Sequence, residues 1–287
     1  MRKLVAHYAA AATSGPLGVA FFGGAPPAPE WLAAAGDLPK AVRVRPDLLT
    51  RADATTLRSH GVVSVELDAL TLDGVALREA GRRYGPKLVL EQLAALPSFG
   101  FARGVVLAPG LPRTTHEDAL ADAERLASHV DFVRIHPVLV LAESKLREAQ
   151  MDDLYRPLTI AEAVTTCLAM VEVFEAAGVA VTRVGANPGP DGLGRAVGGP
   201  RHPSLRQLMD ARRTLERLHR ELHQTALGDA VVIRCHPADE THTRGPHNAH
   251  IRSLRAAHQL DSVTITTDPA LGRGEFAIDA QPWGADE

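Results

Sequence analysis

GVVSVELDALTLDGVALREAGRRYG, residues 61–85, contains one full unit of the pattern that decides the fold. The short run SVEL (64–67) ends at Asp68, and a helical pattern follows over 74–82. A run this short, rich in β-favouring residues, reads as a buried strand rather than a helix. The same unit recurs on both sides. GVAFF (18–22), AVRV (41–44), GVVLAP (104–109), FVRIHPVLVL (132–141) and VAVTRVG (179–185) read as further buried strands. Helical patterns lie between them at 53–60, 86–96, 115–128 and 159–177. The last has Thr159 as N-cap, Glu162 at the capping-box spacing and Gly178 as its stop. Strands alternating with helices predict an α/β fold with parallel strands. Ligand sites in such folds lie beyond the C-terminal strand ends.

Further along, NPGPDGLGRAVGGPRHP (187–203) is rich in glycine and proline, and a charged helix follows at 204–225. Gly228-Asp229 marks a boundary. Beyond it AVVIRCH (230–236), a helix at about 247–258, SVTITTD (262–268) and EFAID (275–279) form a small β-α-β-β module. The expected domains are therefore 1–227 and 228–287.

The net charge of −3 gives no electrostatic drive toward nucleic acid. No apolar run approaches the ~20 residues of a membrane span, and His7 and Tyr8 interrupt any signal-peptide core. A cytoplasmic protein with no membrane partner is the expectation. Cys167 and Cys235 are the only cysteines, which excludes a disulfide framework and any cluster drawing three thiolates from this chain. GxSxG, HExxH, P-loop and GxGxxG motifs are absent.

Several blocks, in order, resemble the elongator-type radical S-adenosylmethionine (SAM) family in its bacterial branch. They are AFFGG (20–24), RPD (45–47), residues 61–85, PGLP (109–112), DFVRIHPVLVL (131–141), YRPLT (155–159) and GGPRHPSLRQLM (198–209). TRGPHNAHIRSLR (243–255) and DPALGRGEF (268–276) resemble that branch's terminal module. The resemblance implies a partial (β/α) barrel of radical SAM type with a small C-terminal β-α-β-β module. It also implies that the parent family's cofactors are a 4Fe-4S cluster, held by a CxxxCxxC loop, and SAM.

This chain departs from the family at the positions that hold those groups. The strand and cysteine loop that open the family's barrel have no counterpart in the sequence. Ala25-Pro26-Pro27 follow the paired glycines where polar residues are usual, Arg43 replaces a serine, Leu70 a glutamine, and Asp68 a glycine. The expectation is a degenerate, non-catalytic barrel, a pseudoenzyme with no cofactor, acting as a binding or regulatory partner. The alternatives are an N-terminally truncated radical SAM enzyme related to the tRNA-modifying elongator proteins and an RNA-associated accessory factor that contacts RNA or tRNA.

Gly23, Gly24, Arg43, Arg45, Asp47, Asp68, Arg183, Asn187 and His202 are the candidates for a remnant pocket at the barrel mouth. The paired glycines either admit a ligand to the backbone or make a tight turn. Arg45 and Asp47 either pair with each other or reach the mouth. The charged lining suits a small anionic ligand or a partner's acidic loop better than SAM. The loop Thr243-Arg244-Gly245-Pro246 suggests RNA contact only faintly. His219 and His223 have helical chelate spacing, but the sequence supplies no third ligand at a matching spacing, so no metal is expected. Without its first strand, the barrel should have an open edge beside GVAFFGG. An N-terminal helix, residues 25–29 or a second chain should cover that edge.

Overall fold

The computed structural model describes residues 17–186, 195–225 and 229–281. They belong to two compact units, Met1–Pro203 and Ser204–Glu287.

The first unit runs β1 (Val19–Gly24), α1 (Pro29–Ala34), β2 (Lys40–Val44), α2 (Arg51–Ser59), β3 (Val62–Leu70), α3 (Gly74–Glu79), α4 (Pro86–Ala95), β4 (Ala102–Leu107), α5 (His116–Leu126), β5 (Phe132–Ile135), β6 (Val140–Leu141), α6 (Lys145–Met151), α7 (Ile160–Ala176), β7 (Ala180–Val184) and β8 (Ala196–Gly198). Six strands form one sheet in the order β1-β2-β3-β4-β5-β7, every neighbouring pair parallel. Sheet order follows chain order, and crossovers between parallel strands are right-handed, so the crossover helices fall on one face. That face is the core. Val42, Val44, Val65, Leu67, Val105, Val133 and Ile135 are at most 1% exposed, and the helices contribute Leu57, Val89, Leu93, Leu126 and Phe174.

The other face curls on itself. The Arg134 guanidinium of β5 lies 5.5 Å from the Phe22 ring centre of β1. Four strand spacings separate those strands, which a flat sheet would hold about 19 Å apart. The sheet is therefore a partial barrel, with β1 and β7 as its edges. The apolar side chains Phe22 and Trp31 at the β1 edge are 58% and 54% exposed. The N-terminal segment expected to cover this edge lies outside the described residues.

Local chemistry explains the helix ends. Thr159 caps α7 by accepting from the Glu162 N–H at 3.2 Å, and the Glu162 carboxylate accepts from the Thr159 N–H at 2.8 Å. Gly178 turns the chain at φ +74.

Two expectations need correction. FVRIHPVLVL is not one strand: β5 ends at Ile135, and Pro137 has no N–H to continue the ladder. Val140 and Leu141 leave the sheet to pair antiparallel with β8. The 204–225 helix, placed in the first domain by the sequence, is α8 (Leu205–Gln224) of the second unit. Its Leu218 and Leu222 are buried with Val231, Ile233, Leu254 and Ile265, so its apolar stripe has its partners there.

The rest of the second unit is β9 (Ala230–Cys235), α9 (Glu240–Arg244), α10 (Ala249–His258), β10 (Ser262–Thr267) and β11 (Phe276–Gln281). β9 is central, with β10 parallel and β11 antiparallel to it. The short helix α9 is an addition to the expected β-α-β-β order. Gly245 closes it at φ +68, where a Cβ would collide with the His250 ring. That turn is a packing requirement.

Candidate functional site

Strands alternate their side chains between faces. In KAVRV, SVELD, FVRIH and VTRV the apolar residues enter the core and leave Arg43, Glu66, Asp68, Arg134, His136 and Arg183 on the curled face. Toward the strand starts, this face encloses a cavity of about 340 Å³ lined by Phe22, Arg43, Glu66, Phe132, Arg134 and smaller residues. Gly104 of β4 belongs to the same packing, because the Phe132 ring occupies the space a Cβ would need.

Glu66 is 4% exposed, and its Oε1 lies 2.7 Å from Arg134 Nε. The two are close as charges, yet both atoms lack an aligned hydrogen bond. Burial raises the Glu66 pKa, with Arg134 and Arg43 opposing. One layer toward the strand ends, Arg43 Nη2 donates to Asp68 Oδ1 at 2.5 Å, and Arg82 Nη2 reaches Asp68 Oδ2 at 3.4 Å. The Tyr84 hydroxyl donates to the Asp68 carbonyl at 2.5 Å, and burial lifts its pKa to about 12. His136 shares this layer. Burial first, then Arg43, Arg183 and Arg134, push its pKa down to about 4, so the ring is neutral. Its Nε2 is buried without a hydrogen-bond partner, as is Arg82 Nε.

Of the sequence candidates, the structure brings Arg43 and Asp68 together as a pair. Arg45 binds Asp47 bidentately at 3.0 and 2.6 Å, the local pairing the sequence left open. Arg183 turns to its own strand end, donating to the Gly185 and Ala186 carbonyls. His202 lies beyond β8, its backbone N–H donating to the Pro200 carbonyl at 2.9 Å. Asn187 lies outside the described residues. The candidate list missed Glu66, Arg82, Arg134 and His136. A charged or titratable residue at the inward position of consecutive strands was the signal available for Glu66, Arg134 and His136; Arg82 lies between α3 and α4, where no such spacing applies.

The chain's thiols do not fit an iron–sulfur cluster. Cys167 and Cys235 are both fully buried, one inside α7 and one at the end of β9, and burial raises the Cys167 pKa to about 12. A thiol held protonated is no cluster ligand. The paired glycines are more permissive. Gly24 has φ +77, and nothing lies within 4 Å of where a Gly23 Cβ would stand, so a ligand can approach the backbone there.

A larger groove, about 830 Å³, lies outside the curled face between Leu70, Arg82, Arg113 and Tyr155. Its arginines are engaged: Arg113 pairs with Glu79, Arg82 with Asp68, and Arg156 with Glu162. Among the described residues no helix is long and apolar enough to cross a membrane.

Residues 130–217 match the Radical_SAM C-terminal domain family. Among solved structures, the chain is similar to the archaeal Methanocaldococcus infernus Elp3 with an N-terminal deletion, at 19% identity and a TM-score of 0.57. That match covers 63% of this chain and 42% of the Elp3 chain, so this chain spans less than half of its relative. Coproporphyrinogen III oxidase (HemN) from Escherichia coli, a radical SAM enzyme, matches at 15% identity over 61% of this chain and 43% of its own, with a TM-score of 0.43. No curated protein matches the chain significantly. The likeness to Elp3 shows the fold, and the domain match over residues 130–217 agrees with a radical SAM type of fold.

Proposed function

From the premise of a radical SAM fold, we propose that this chain is a non-catalytic barrel that binds a small anionic ligand on its curled face. The observation that carries this reading is the set of unmade hydrogen bonds there. His136 Nε2 and Arg82 Nε are buried side-chain atoms without a hydrogen-bond partner, while Glu66 Oε1 and Arg134 Nε meet only each other, as an ion pair at 2.7 Å. Each such atom costs free energy unless something binds it, and such groups mark sites that await a ligand or water. Two arginines, Arg43 and Arg134, line this cavity against one carboxylate, Glu66. The surplus is cationic, which favours an anion. The cavity's volume, near the low end of ligand sites, favours a small molecule over a protein loop.

The alternative reading, a truncated radical SAM enzyme, draws support from the open backbone at Gly23-Gly24. Thermal shift of the full chain against phosphate, citrate, a nucleoside monophosphate and SAM separates the two. The binding reading expects stabilisation by one of the first three that Arg134→Gln and His136→Phe each abolish. Stabilisation by SAM alone would favour the enzyme, and no response to any of the four would remove the anion site.

A further inference from the structure

The groove of about 830 Å³ outside the curled face has apolar walls and a cationic lining. Its inner wall is the end of the sheet, where Leu70 closes β3 and Leu111 follows β4. Its outer wall is α6 and the turn after it, which supply Leu146, Ala149 and Leu154. No residue of α6 is buried, so this wall stands against water. Leu154 is 80% exposed and nearby Met151 69%, the two most exposed large hydrophobic side chains among the described residues. Exposed apolar side chains gathered along one groove mark a binding surface, whereas isolated ones need no explanation. Leu70, Arg113 and Asp153, the residue before Leu154, have φ of +66, +66 and +56. Left-handed backbone costs such residues energy and collects where ligands are clamped.

The charges are one-sided. Arg82, Arg113, Lys145 and Arg156 line the groove against one lining carboxylate, Glu79. Glu79 meets Arg113, while Asp68 and Glu162, outside the lining, hold Arg82 and Arg156. Lys145 is left as the cation without an ion pair among the described residues. One unbalanced positive charge beside an apolar groove calls for a molecule with one negative charge and an apolar body. The volume is within the range of small-molecule sites.

We propose that this groove binds an amphipathic monocarboxylate, its chain or ring against Leu70, Leu111 and the α6 wall and its carboxylate at Lys145. The residues are not those of the curled-face cavity, so the site does not rest on the anion reading.

The test is calorimetric titration of the full chain with octanoate, octanol and acetate. One octanoate per chain is expected. Octanol, lacking the charge, should bind at least about tenfold more weakly, and acetate, lacking the chain, should give no measurable binding. Ala149→Trp, which fills the groove, and Leu154→Asp, at an exposed position, should each weaken octanoate at least about tenfold. Lys145→Gln should reduce octanoate to the level of octanol, and Lys87→Gln, exposed on α4, should leave it unchanged. If Ala149→Trp fails to fold, the two exposed positions, Lys145 and Leu154, decide the matter. Absence of octanoate binding would overturn the proposal, as would octanol binding as tightly as octanoate. Binding that Leu154→Asp leaves intact but Arg134→Gln abolishes would place octanoate in the curled-face cavity and equally overturn it.

Discussion

The two faces of the six-stranded sheet come from the same strands and carry opposite burdens. On the helix-covered face, Val42, Leu67, Val105 and Val133 are packed out of solvent, and each methyl group contributes to holding the unit together. On the curled face, the intervening positions carry Arg43, Glu66, Asp68, Arg134 and His136, with several hydrogen bonds left unmade. Buried ion pairs rarely repay their desolvation, so such a face adds little to stability. Stability resides on one face and the proposed binding on the other, a division that mutations can test.

The largest effect should come from the covered face. Leu67→Ala should cost about 3 kcal/mol in urea denaturation, because it opens a cavity at a site with no exposed surface. A loss below about 1 kcal/mol would mean that the covered face is not the main source of stability.

On the curled face a single truncation and a paired one should diverge. Glu66→Ala leaves Arg134 without its carboxylate and should cost on the order of 2 kcal/mol, Arg134 being partly solvated. Glu66→Leu combined with Arg134→Met should return stability to near that of the starting protein. A double variant as unstable as the single one would make these charges scaffold, and the contrast between faces would fail.

The smallest effect is set by pH. The His136 ring titrates near 4 in the folded chain against an ordinary value of 6.5. As pH falls, the unfolded chain therefore takes up a proton that the folded chain refuses. Stability from the neutral ring is fully present above pH 6.5 and declines as pH falls from 6.5 to about 4. His136→Phe should flatten that part of the pH–stability curve. An unchanged slope in the variant would show that the ring is not held neutral.

These contrasts also explain what the sequence made legible. The covered face advertised itself through Val-rich runs, and α7 through Thr159, Glu162 and Gly178, because local chemistry sets strand burial and helix ends. Helix α6 went unnoticed since none of its residues is buried, leaving no periodicity to find. The break at Pro137 was readable, but the apolar residues around it suggested continuity. The curled-face ensemble was harder. Arg134 meets Phe22 only because the sheet bends, and Glu66 meets Arg134 across an intervening strand. Neither contact has a sequence spacing. The His219–His258 contact was hidden for the same reason, since it forms across the packing of two helices.

The proposal for the curled face is anion binding without cluster chemistry. Its most direct test is calorimetric titration of the full chain with SAM after anaerobic treatment with iron and sulfide. No cluster absorbance is expected, and SAM binding no tighter than about 1 mM, since both cysteines are buried and the Arg43 guanidinium is already paired with Asp68. A stable four-iron cluster with SAM bound tighter than about 10 μM would contradict it.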